Sequence, residues 1–235
     1  IIDPVGRRAF ENFYDLANRA LRTESIDAGG KRFVFDAAGN GIERRDAKGA
    51  LTLTTYDPQN QPSTLWARDD EHAEVTQRQR IEYGDVARGP KDARERNLLG
   101  KPWRAWDEAG RIDTERVDFK GNVLESVRRV ISDETLEHDP AWRPDWTGDD
   151  DGVLEARAFE QTSRFDALNR VVEQRLPKDV TGERREVRPY YNRAGALEAV
   201  EVDGARVVER IAYDAKGQRT LEVHGNGVLQ RWAYD

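Results

Sequence analysis

A short turn pattern recurs along the chain at an almost constant spacing. Near its end, Tyr213-Asp214 and Tyr234-Asp235 lie 21 residues apart, with Gly225-Asn226-Gly227 between them. Asp at the first position of a type I turn caps the turn amides, and Gly217 at the fourth position accepts a positive φ. A Gly-Asn-Gly sequence is typical of a tight hairpin loop. Each unit is therefore predicted to be a strand, a turn, a strand and a second turn.

The same pattern, an aromatic residue followed by Asp with Gly or Asn three residues later, occurs along most of the chain. Its copies are Tyr14-Asp15, Phe35-Asp36, Tyr56-Asp57, Trp106-Asp107 with Gly110, Phe165-Asp166 and Tyr213-Asp214 with Gly217. Tyr191-Asn192 is a degenerate copy and Phe119-Lys120-Gly121-Asn122 a contracted one. Steps of 21 or 22 residues separate neighbouring copies where the series is regular. Such a period predicts one supersecondary unit that stacks on its neighbours.

The composition of the 235 residues suits an open sheet better than a compact globule. Hydrophobic residues make up 37% and charged residues 35%, and the mean hydropathy is −0.87. This is little apolar material for one large core. Six Trp, seven Tyr and seven Phe, set among dense turn signals, nevertheless argue against disorder. We therefore expect strands with much of both sheet faces in contact with water.

Charge and cysteine content exclude several classes of function. The net charge is −7, and acidic and basic residues are interleaved, so there is no electrostatic footprint for DNA or RNA. The absence of Cys excludes disulfides, thiolate catalysis and Cys-ligated metals. No apolar run approaches the length of a membrane span. Because Ile1 opens no signal-peptide pattern and Asp235 falls inside a repeat, we expect an excerpt from a longer polypeptide.

The first 25 residues fit two interpretations. Phe10, Phe13 and Tyr14 continue into Ala17 at helical spacing, which is typical of an amphipathic helix. The phase of the repeat instead predicts two strands joined by a turn at 15–18. We favour the strands because the sequence 15–19, Asp-Leu-Ala-Asn-Arg, parallels Asp-Ala-Leu-Asn-Arg at 166–170.

Two stretches interrupt the period and are predicted to be insertion loops, at about 84–102 and 132–153. Residues 92–99 in the first favour a short helical turn. The second contains prolines, which disfavour a ladder strand, and is expected to be a surface loop pinned by Trp142 and Trp146. Otherwise residues 1–235 are expected to form a single repeat segment.

Longer segments resemble a known family. The sequence 97–101, Asn-Leu-Leu-Gly-Lys, is followed by Trp-Asp-Glu-Ala-Gly at 106–110 and by Asp-Phe-Lys-Gly-Asn-Val-Leu at 118–124. This order is similar to a block in the YD/RHS-repeat proteins of bacterial insecticidal toxin complexes, of the B/C component type, and the repeats from Phe165 to Gly227 continue the series. The resemblance covers essentially the whole chain.

The resemblance implies an all-β fold in which YD/RHS-repeat β-hairpins join into a curved, spiralling antiparallel sheet. In the similar proteins this sheet is a hollow shell around a C-terminal toxin segment. The chain would then be a structural segment of that shell and would act by steric containment. The implied partners are other shell repeats of the same or a companion subunit, the enclosed toxin polypeptide and a pore-forming translocation subunit. The implied location is a secreted, extracellular bacterial toxin assembly.

The chain departs from the pattern of the family in a few places. Trp106 stands where Tyr is usual, Asn192 replaces Asp, and Phe119 follows its Asp. The aspartyl autoprotease segment that ends the shell in the family is not found in this sequence, and neither is an effector domain. Self-cleavage is therefore not assigned to this chain.

No catalytic, cofactor-binding or metal site is predicted, and we do not expect an enzyme. His72, His138 and His224 lie in polar sequence without an HExxH pattern, and no GxSxG motif is present. The acidic stretch 149–152 with Glu155 shares composition with a calcium loop but lacks its spacing. It is either a calcium site or a solvated loop, and we favour the loop.

The repeat residues themselves also fit more than one role. The aromatic residues form either a packing ladder, which we favour, or a platform for sugar stacking; each following Asp either caps a turn or contributes to a row that binds cations. The pairs in question run from Tyr14-Asp15 to Tyr234-Asp235. The alternative to a shell segment is therefore a secreted YD-repeat module that binds carbohydrate or a cell-surface partner.

Overall fold

The computed structural model describes residues 1–87, 89–139, 141–148 and 151–235. Nearly all of the regular structure in this part of the chain is β-strand. One short α-helix, α1 (Asp133–His138), and one 3-10 turn (Asp151–Val153) interrupt the strands. The all-β prediction is confirmed.

The strands are short and follow one another along the chain. Their bounds are β1 (Phe10–Tyr14), β2 (Ala20–Ser25), β3 (Gly29–Phe35), β4 (Gly41–Arg45), β5 (Leu51–Tyr56), β6 (Pro62–Arg68), β7 (Thr76–Tyr83), β8 (Pro102–Asp107), β9 (Gly110–Val117), β10 (Val123–Val130), β11 (Phe159–Phe165), β12 (Val171–Lys178), β13 (Arg184–Tyr191), β14 (Leu197–Val202), β15 (Ala205–Tyr213), β16 (Arg219–His224) and β17 (Leu229–Arg231). Because β1 and β2 are strands, the strand interpretation of the first 25 residues is confirmed.

The strands form one open antiparallel sheet in which each strand pairs with the next in sequence. The register is explicit for the hairpins on either side of the insertions, for example Leu53 opposite Trp66 and Val187 opposite Val202. A hairpin of this length is marginal in water by itself, so lateral pairing to its neighbours is what makes each one stable. The predicted antiparallel sheet of repeat hairpins is therefore confirmed.

The chain divides into two compact units. Unit 1 comprises Ile1–Glu82, Arg104–Arg111 and Val130–Glu155, and unit 2 comprises Tyr83–Trp103, Ile112–Arg129 and Ala156–Asp235. The expectation of a single repeat segment with two insertions stays a prediction.

The core of unit 1 forms where the second insertion and its flanking residues pack against β8. Trp106 on β8 packs with Ile131, Trp146 and Leu154, and Trp146 is only 1% exposed. Trp146 donates its backbone N–H to the carbonyl of Gln77 (3.0 Å) and its indole N–H to that of Asp107 (3.1 Å). Trp146 thus fills the core with its side chain and satisfies two strand carbonyls, one through its indole and one through its backbone N–H, so it pins the insertion to the sheet.

Sequence analysis missed the helix in this insertion. Ser132 is the N-cap of α1, and its hydroxyl accepts the N–H of Thr135 at 3.2 Å. Asp133 and Glu134 occupy the first turn, where negative charge is favourable. The predicted surface loop is thus partly helical, and the signal for it was the sequence Ser-Asp-Glu-Thr at 132–135.

The core of unit 2 is built by the first insertion. Ala93 and Leu98, 2% and 0% exposed, pack with Val117 on β9 and against Trp103. Backbone hydrogen bonds form turns within this insertion. The N–H of Arg96, for example, donates to the carbonyl of Asp92 at 3.0 Å. The predicted helical turn is present there, although no full helix forms.

Candidate functional site

The repeated turn has one geometry, which the copy between β5 and β6 illustrates. The N–H of Asn60 donates to the carbonyl of Asp57 (2.9 Å), and the N–H of Asp57 donates to the carbonyl of Gln61 (2.8 Å). The Asp57 carboxylate accepts the N–H groups of Gln59 and Gln61, at 2.9 and 2.8 Å. Asn60 has φ 65°, so a type I turn is followed by a left-handed residue. The extra residue shifts the strand register between Thr55 and Tyr56.

The same cap and the same left-handed fourth residue recur at other turns. They begin at Asp3, Asp15, Asp36, Asp46, Asp57, Asp118, Asp166, Asp179, Asn192 and Asp214. The aromatic-Asp pairs expected at Tyr14, Phe35, Tyr56, Phe165, Tyr191 and Tyr213 all lie at turns of this kind. The turns at Asp3 and Asp179 were missed, although Asp-x-x-Gly is present in both; like the turn at Asp46, they lack the aromatic residue of the repeat pattern.

Two predicted copies differ from this geometry. At Trp106-Asp107 the chain makes a tighter hairpin, since β8 ends at Asp107 and β9 begins at Gly110, and the Asp107 carboxylate accepts the N–H of Ala109 at 2.8 Å. Trp106 itself is 2% exposed in the core of unit 1.

The other difference concerns the copy that was predicted to be contracted. Its turn has full length and begins at Asp118, whose carboxylate accepts the N–H of Asn122 at 2.9 Å. The position before this Asp, aromatic in other copies, is held by the buried Val117, while Phe119 lies in the turn and is 85% exposed. Phe119 is therefore a turn residue and not the aromatic residue of a repeat.

Tyrosine hydroxyls connect one hairpin to the preceding one. In each case the acceptor is the carbonyl of the first residue after the preceding repeat turn on the same side of the sheet. The pairs are Tyr56 with Gly41 (3.2 Å), Tyr191 with Val171 (2.9 Å), Tyr213 with Leu197 (2.8 Å) and Tyr234 with Arg219 (2.8 Å). The phenylalanines at the equivalent positions, Phe35 and Phe165, have no hydroxyl to donate. Tyr therefore has a physical advantage over Phe here, because it satisfies a strand carbonyl of the neighbouring hairpin.

The last residue of some turns reaches forward to the next repeat. Arg19 is bonded to the carboxylate of Asp15 at 2.7 Å, and its guanidinium lies 5.0 Å from the ring centre of Phe35. Arg170 makes the equivalent two contacts: it is bonded to the carboxylate of Asp166 at 2.6 Å, and its guanidinium lies 4.4 Å from the ring centre of Tyr191. Each arginine thus holds its own turn and covers the aromatic residue of the following one.

Asparagine takes the place of arginine at two other turns. Asn40 donates its side-chain amide to the carboxylate of Asp36 (2.8 Å) and to the side-chain oxygen of Asn60 in the next repeat turn (2.5 Å). Asn122 makes the same pair of contacts with Asp118 (2.8 Å) and Asn169 (3.1 Å). Both side chains therefore link consecutive turns along one edge of the sheet.

The turn caps favour the ionised form of their carboxylates. The backbone N–H of Arg19 lowers the pKa of Asp15, and that of Arg170 lowers the pKa of Asp166. The side-chain amide of Asn40 is the main cause of the lowered pKa of Asp36. Hydrogen bonds donated to a carboxylate stabilise its charge, which explains the direction in each case.

The described residues do not bring ligands together for a metal. No group of three or more His, Cys, Asp or Glu there has the geometry to hold an ion. Within the stretch predicted to be a calcium site or a solvated loop, Asp149 and Asp150 lie outside the described residues. In the part of the chain that the structure covers, no helix is long and apolar enough to cross a membrane.

Comparisons with known proteins agree with this geometry. No family profile matches the chain. It is 25% identical over 232 residues to toxin subunit YenC1 of Yersinia entomophaga, covering 95% of this chain and 22% of that protein. Toxin subunit YenC2 of the same organism is 25% identical over 251 residues, covering 96% and 24%. The chain thus spans less than a quarter of the length of these relatives.

Solved structures share the fold. A crystal structure of TcdB2-TccC3-Cdc42 matches with a TM-score of 0.78 and 25% identity, covering 97% of this chain and 10% of that one. The Tc holotoxin pore of Photorhabdus luminescens matches with a TM-score of 0.77, 25% identity and the same coverage.

Capped turns, tyrosine links and one open antiparallel sheet define a β-sheet protein of repeated hairpins. The similar proteins belong to a narrower group than this structural class. The chain is homologous to toxin subunits of Yersinia entomophaga and shares its fold with Tc toxin structures, so the predicted resemblance to bacterial insecticidal toxin complexes is confirmed.

Proposed function

We propose that the chain is a wall segment of a hollow β-shell that encloses and delivers a C-terminal toxin polypeptide. It acts by steric containment and performs no chemistry of its own. The observation that carries this proposal is the match of 97% of the chain to a tenth of the TcdB2-TccC3 chain, with a TM-score of 0.78. A part that fits so completely within a much larger structure is best explained as one section of its wall.

The links between hairpins support a mechanical role. A wall must keep its strands paired over a long distance, and each repeat contributes backbone pairing, a capped turn and contacts to the next repeat. The Tyr213 hydroxyl on the Leu197 carbonyl and Arg170 over the Tyr191 ring are contacts of this kind. In repeat proteins, stability comes from each unit and from its interfaces with its neighbours. The sequence is therefore suited to extension in one direction.

The alternative, a module that binds carbohydrate, has less support from the geometry. Sugar stacking needs a free aromatic face, yet Arg19 lies over Phe35 and Arg170 over Tyr191. Trp146, an aromatic residue of the second insertion, is buried. These rings are already used for packing, which favours the ladder interpretation and with it the shell.

The partners and location in this proposal follow from the shell. The partners are further repeats of the same or a companion subunit, the enclosed polypeptide and a pore-forming translocation subunit. The assembly is secreted and works outside the bacterial cell. The resemblance to a Tc holotoxin pore structure supports the translocation partner.

A chimera tests the proposal. This chain would replace the matching 232 residues of YenC1, and limited proteolysis would be followed at the C-terminal segment of the chimera. We expect that segment to resist protease to the same degree as in unmodified YenC1, measured in parallel. Rapid loss of the segment, while the repeats themselves stay resistant, would contradict containment.

A matched control removes one repeat and leaves the others in phase. Deletion of residues 192–213 joins Tyr191 to Asp214 and takes out a single 22-residue period. The remaining turns keep their sequences, so folding is retained while the wall is shortened. The deletion is expected to expose the C-terminal segment to protease.

A further inference from the structure

A group of five charged side chains crosses three neighbouring strands of unit 2. Arg164 lies on β11, Glu173 and Arg175 on β12, and Glu186 and Arg188 on β13. Arg164 is paired with Glu173 in the strand register, and Arg175 with Glu186, so all five share one face of the sheet. We call this group the charge ladder.

The two glutamates bind all three arginines of the charge ladder. Carboxylate oxygens of Glu173 lie 3.1 Å from Arg164, 3.8 Å from Arg175 and 3.7 Å from Arg188. Glu186 lies 3.3 Å from Arg175 and 2.6 Å from Arg188. No arginine of the group is without a carboxylate, and each glutamate serves more than one arginine.

The two glutamates of the charge ladder are less exposed than its three arginines. The side chains of Glu173 and Glu186 are only 16% and 24% exposed, whereas those of Arg164, Arg175 and Arg188 are 72%, 57% and 48% exposed. A molecule that approaches this face therefore meets guanidinium groups first. Three arginines in a fixed array fit the carboxylates of an acidic polypeptide well, since guanidinium and carboxylate groups pair with two parallel hydrogen bonds.

We infer that Glu173 and Glu186 mask the three arginines of the charge ladder, so that this face does not bind acidic stretches of polypeptide. With both glutamates ionised, the group has one excess positive charge in a chain whose net charge is −7. Without them, three uncompensated arginines remain. The inference rests on the proposed function in one respect: a wall that holds a polypeptide in order to release it gains from a face that does not adhere to it.

Binding of an acidic probe tests the masking. The probe is fluorescein-labelled polyglutamate, and its fluorescence anisotropy is measured with the full chain at low salt. The wild-type chain is expected to bind very weakly, and Glu173→Gln/Glu186→Gln to bind about tenfold more tightly, because each freed surface charge adds a modest interaction. The gain should disappear at high salt, where exposed charges are screened.

A control with the same change in net charge separates masking from a general effect. Glu198 and Glu209 are exposed, and neither forms an ion pair among the described residues. Glu198→Gln/Glu209→Gln is therefore expected to leave binding unchanged. Equal gains in the two double variants would overturn the inference, as would tight binding by the wild-type chain.

Two further variants keep the result decisive. If the double variant loses its β circular dichroism, Glu173→Gln alone is used, because it removes the one carboxylate that contacts all three arginines. This single variant should give a smaller gain in probe affinity than the double variant. Adding Arg164→Gln, Arg175→Gln and Arg188→Gln to the double variant should abolish the new binding. Persistent binding of polyglutamate without these arginines would overturn the inference. Loss of protease protection in the chimera would instead count against containment alone.

Discussion

At the scale of the residue, the most informative position is the aspartate that begins each repeat turn. Its carboxylate accepts N–H groups two and four residues later, as Asp214 does from Lys216 and Gln218, both at 2.8 Å. These contacts lie within five residues, so turn chemistry alone identifies them. This explains why the sequence predicted most of the turns. Asp3 and Asp179 were missed, although each begins an Asp-x-x-Gly sequence, and neither follows an aromatic residue.

The caps predict how stability depends on pH. The pKa of Asp15, Asp36 and Asp166 is lower in the folded chain than the ordinary value of 3.8, because N–H groups bind the ionised form. Their contribution is present above pH 3.8 and is lost as the pH falls through the folded-state pKa. Urea unfolding measured from pH 7 down to pH 2.5 should show a loss of stability that steepens below 3.8. In Asp166→Asn, which keeps an acceptor but has no charge to lose, the fall should be shallower.

The tyrosine hydroxyl predicts a difference between Tyr and Phe. Tyr213→Phe removes the donor to the Leu197 carbonyl and should lower the free energy of unfolding by about 1 kcal/mol. Tyr14→Phe is the control, because the Tyr14 hydroxyl has no hydrogen bond among the described residues and the ring is 53% exposed. Thermal unfolding followed by circular dichroism measures both. Equal effects would show that the hydroxyl link is unimportant.

The left-handed turn residue predicts a position-specific cost. Gly217 has φ 77° and open space where a Cβ would lie, so Gly217→Ala suffers backbone strain and no clash. The cost should be about 1 kcal/mol. Gly148→Ala also meets open space but does not have a positive φ, so it should be close to neutral. If the two substitutions cost the same in urea unfolding, strain at the turn is not the cause.

At the scale of the element, the hairpins and the positions of the two insertions could be predicted from the sequence, whereas the contacts that hold the insertions could not. Hairpin signals are local, whereas the insertions are fixed by distant contacts. Trp146 bonds to Gln77, far away in sequence, and no spacing rule anticipates that pair. Trp106 packs with Trp146 in the same core, which explains why it is buried although it precedes a turn. Helix α1 is the exception, since its N-cap signal at Ser132 was visible in the sequence.

Because Trp146 holds the second insertion in the core of unit 1, we expect its substitution to destabilise unit 1 more than unit 2. Trp146→Ala creates a cavity in the core of unit 1 and leaves the Asp107 carbonyl without its indole donor, so it should destabilise that unit by about 3–5 kcal/mol. Leu136→Ala, on α1 with 44% exposure, is the control and should have little effect. Hydrogen exchange with mass spectrometry should show faster exchange in β7 and β8. Uniformly faster exchange across both units would argue against a local core.

At the scale of the whole molecule, the period of the sequence predicted a sheet of repeated hairpins, and the resemblance to toxin complexes indicated a function for that sheet. A repeat of 21 or 22 residues specifies how each hairpin meets the next, which is why an all-β antiparallel array could be predicted from turns and alternation alone. The containment proposed for the array could not be derived in this way, because turn chemistry and alternation carry no information about a cargo.

The most direct test of the account is a cryo-electron microscopy map of YenC1 in which this chain replaces the matching segment. We predict that β1 to β17 form a continuous part of a wall, with density for the C-terminal polypeptide along one face only. A map in which both faces of these strands contact solvent, with the C-terminal polypeptide outside, would contradict containment.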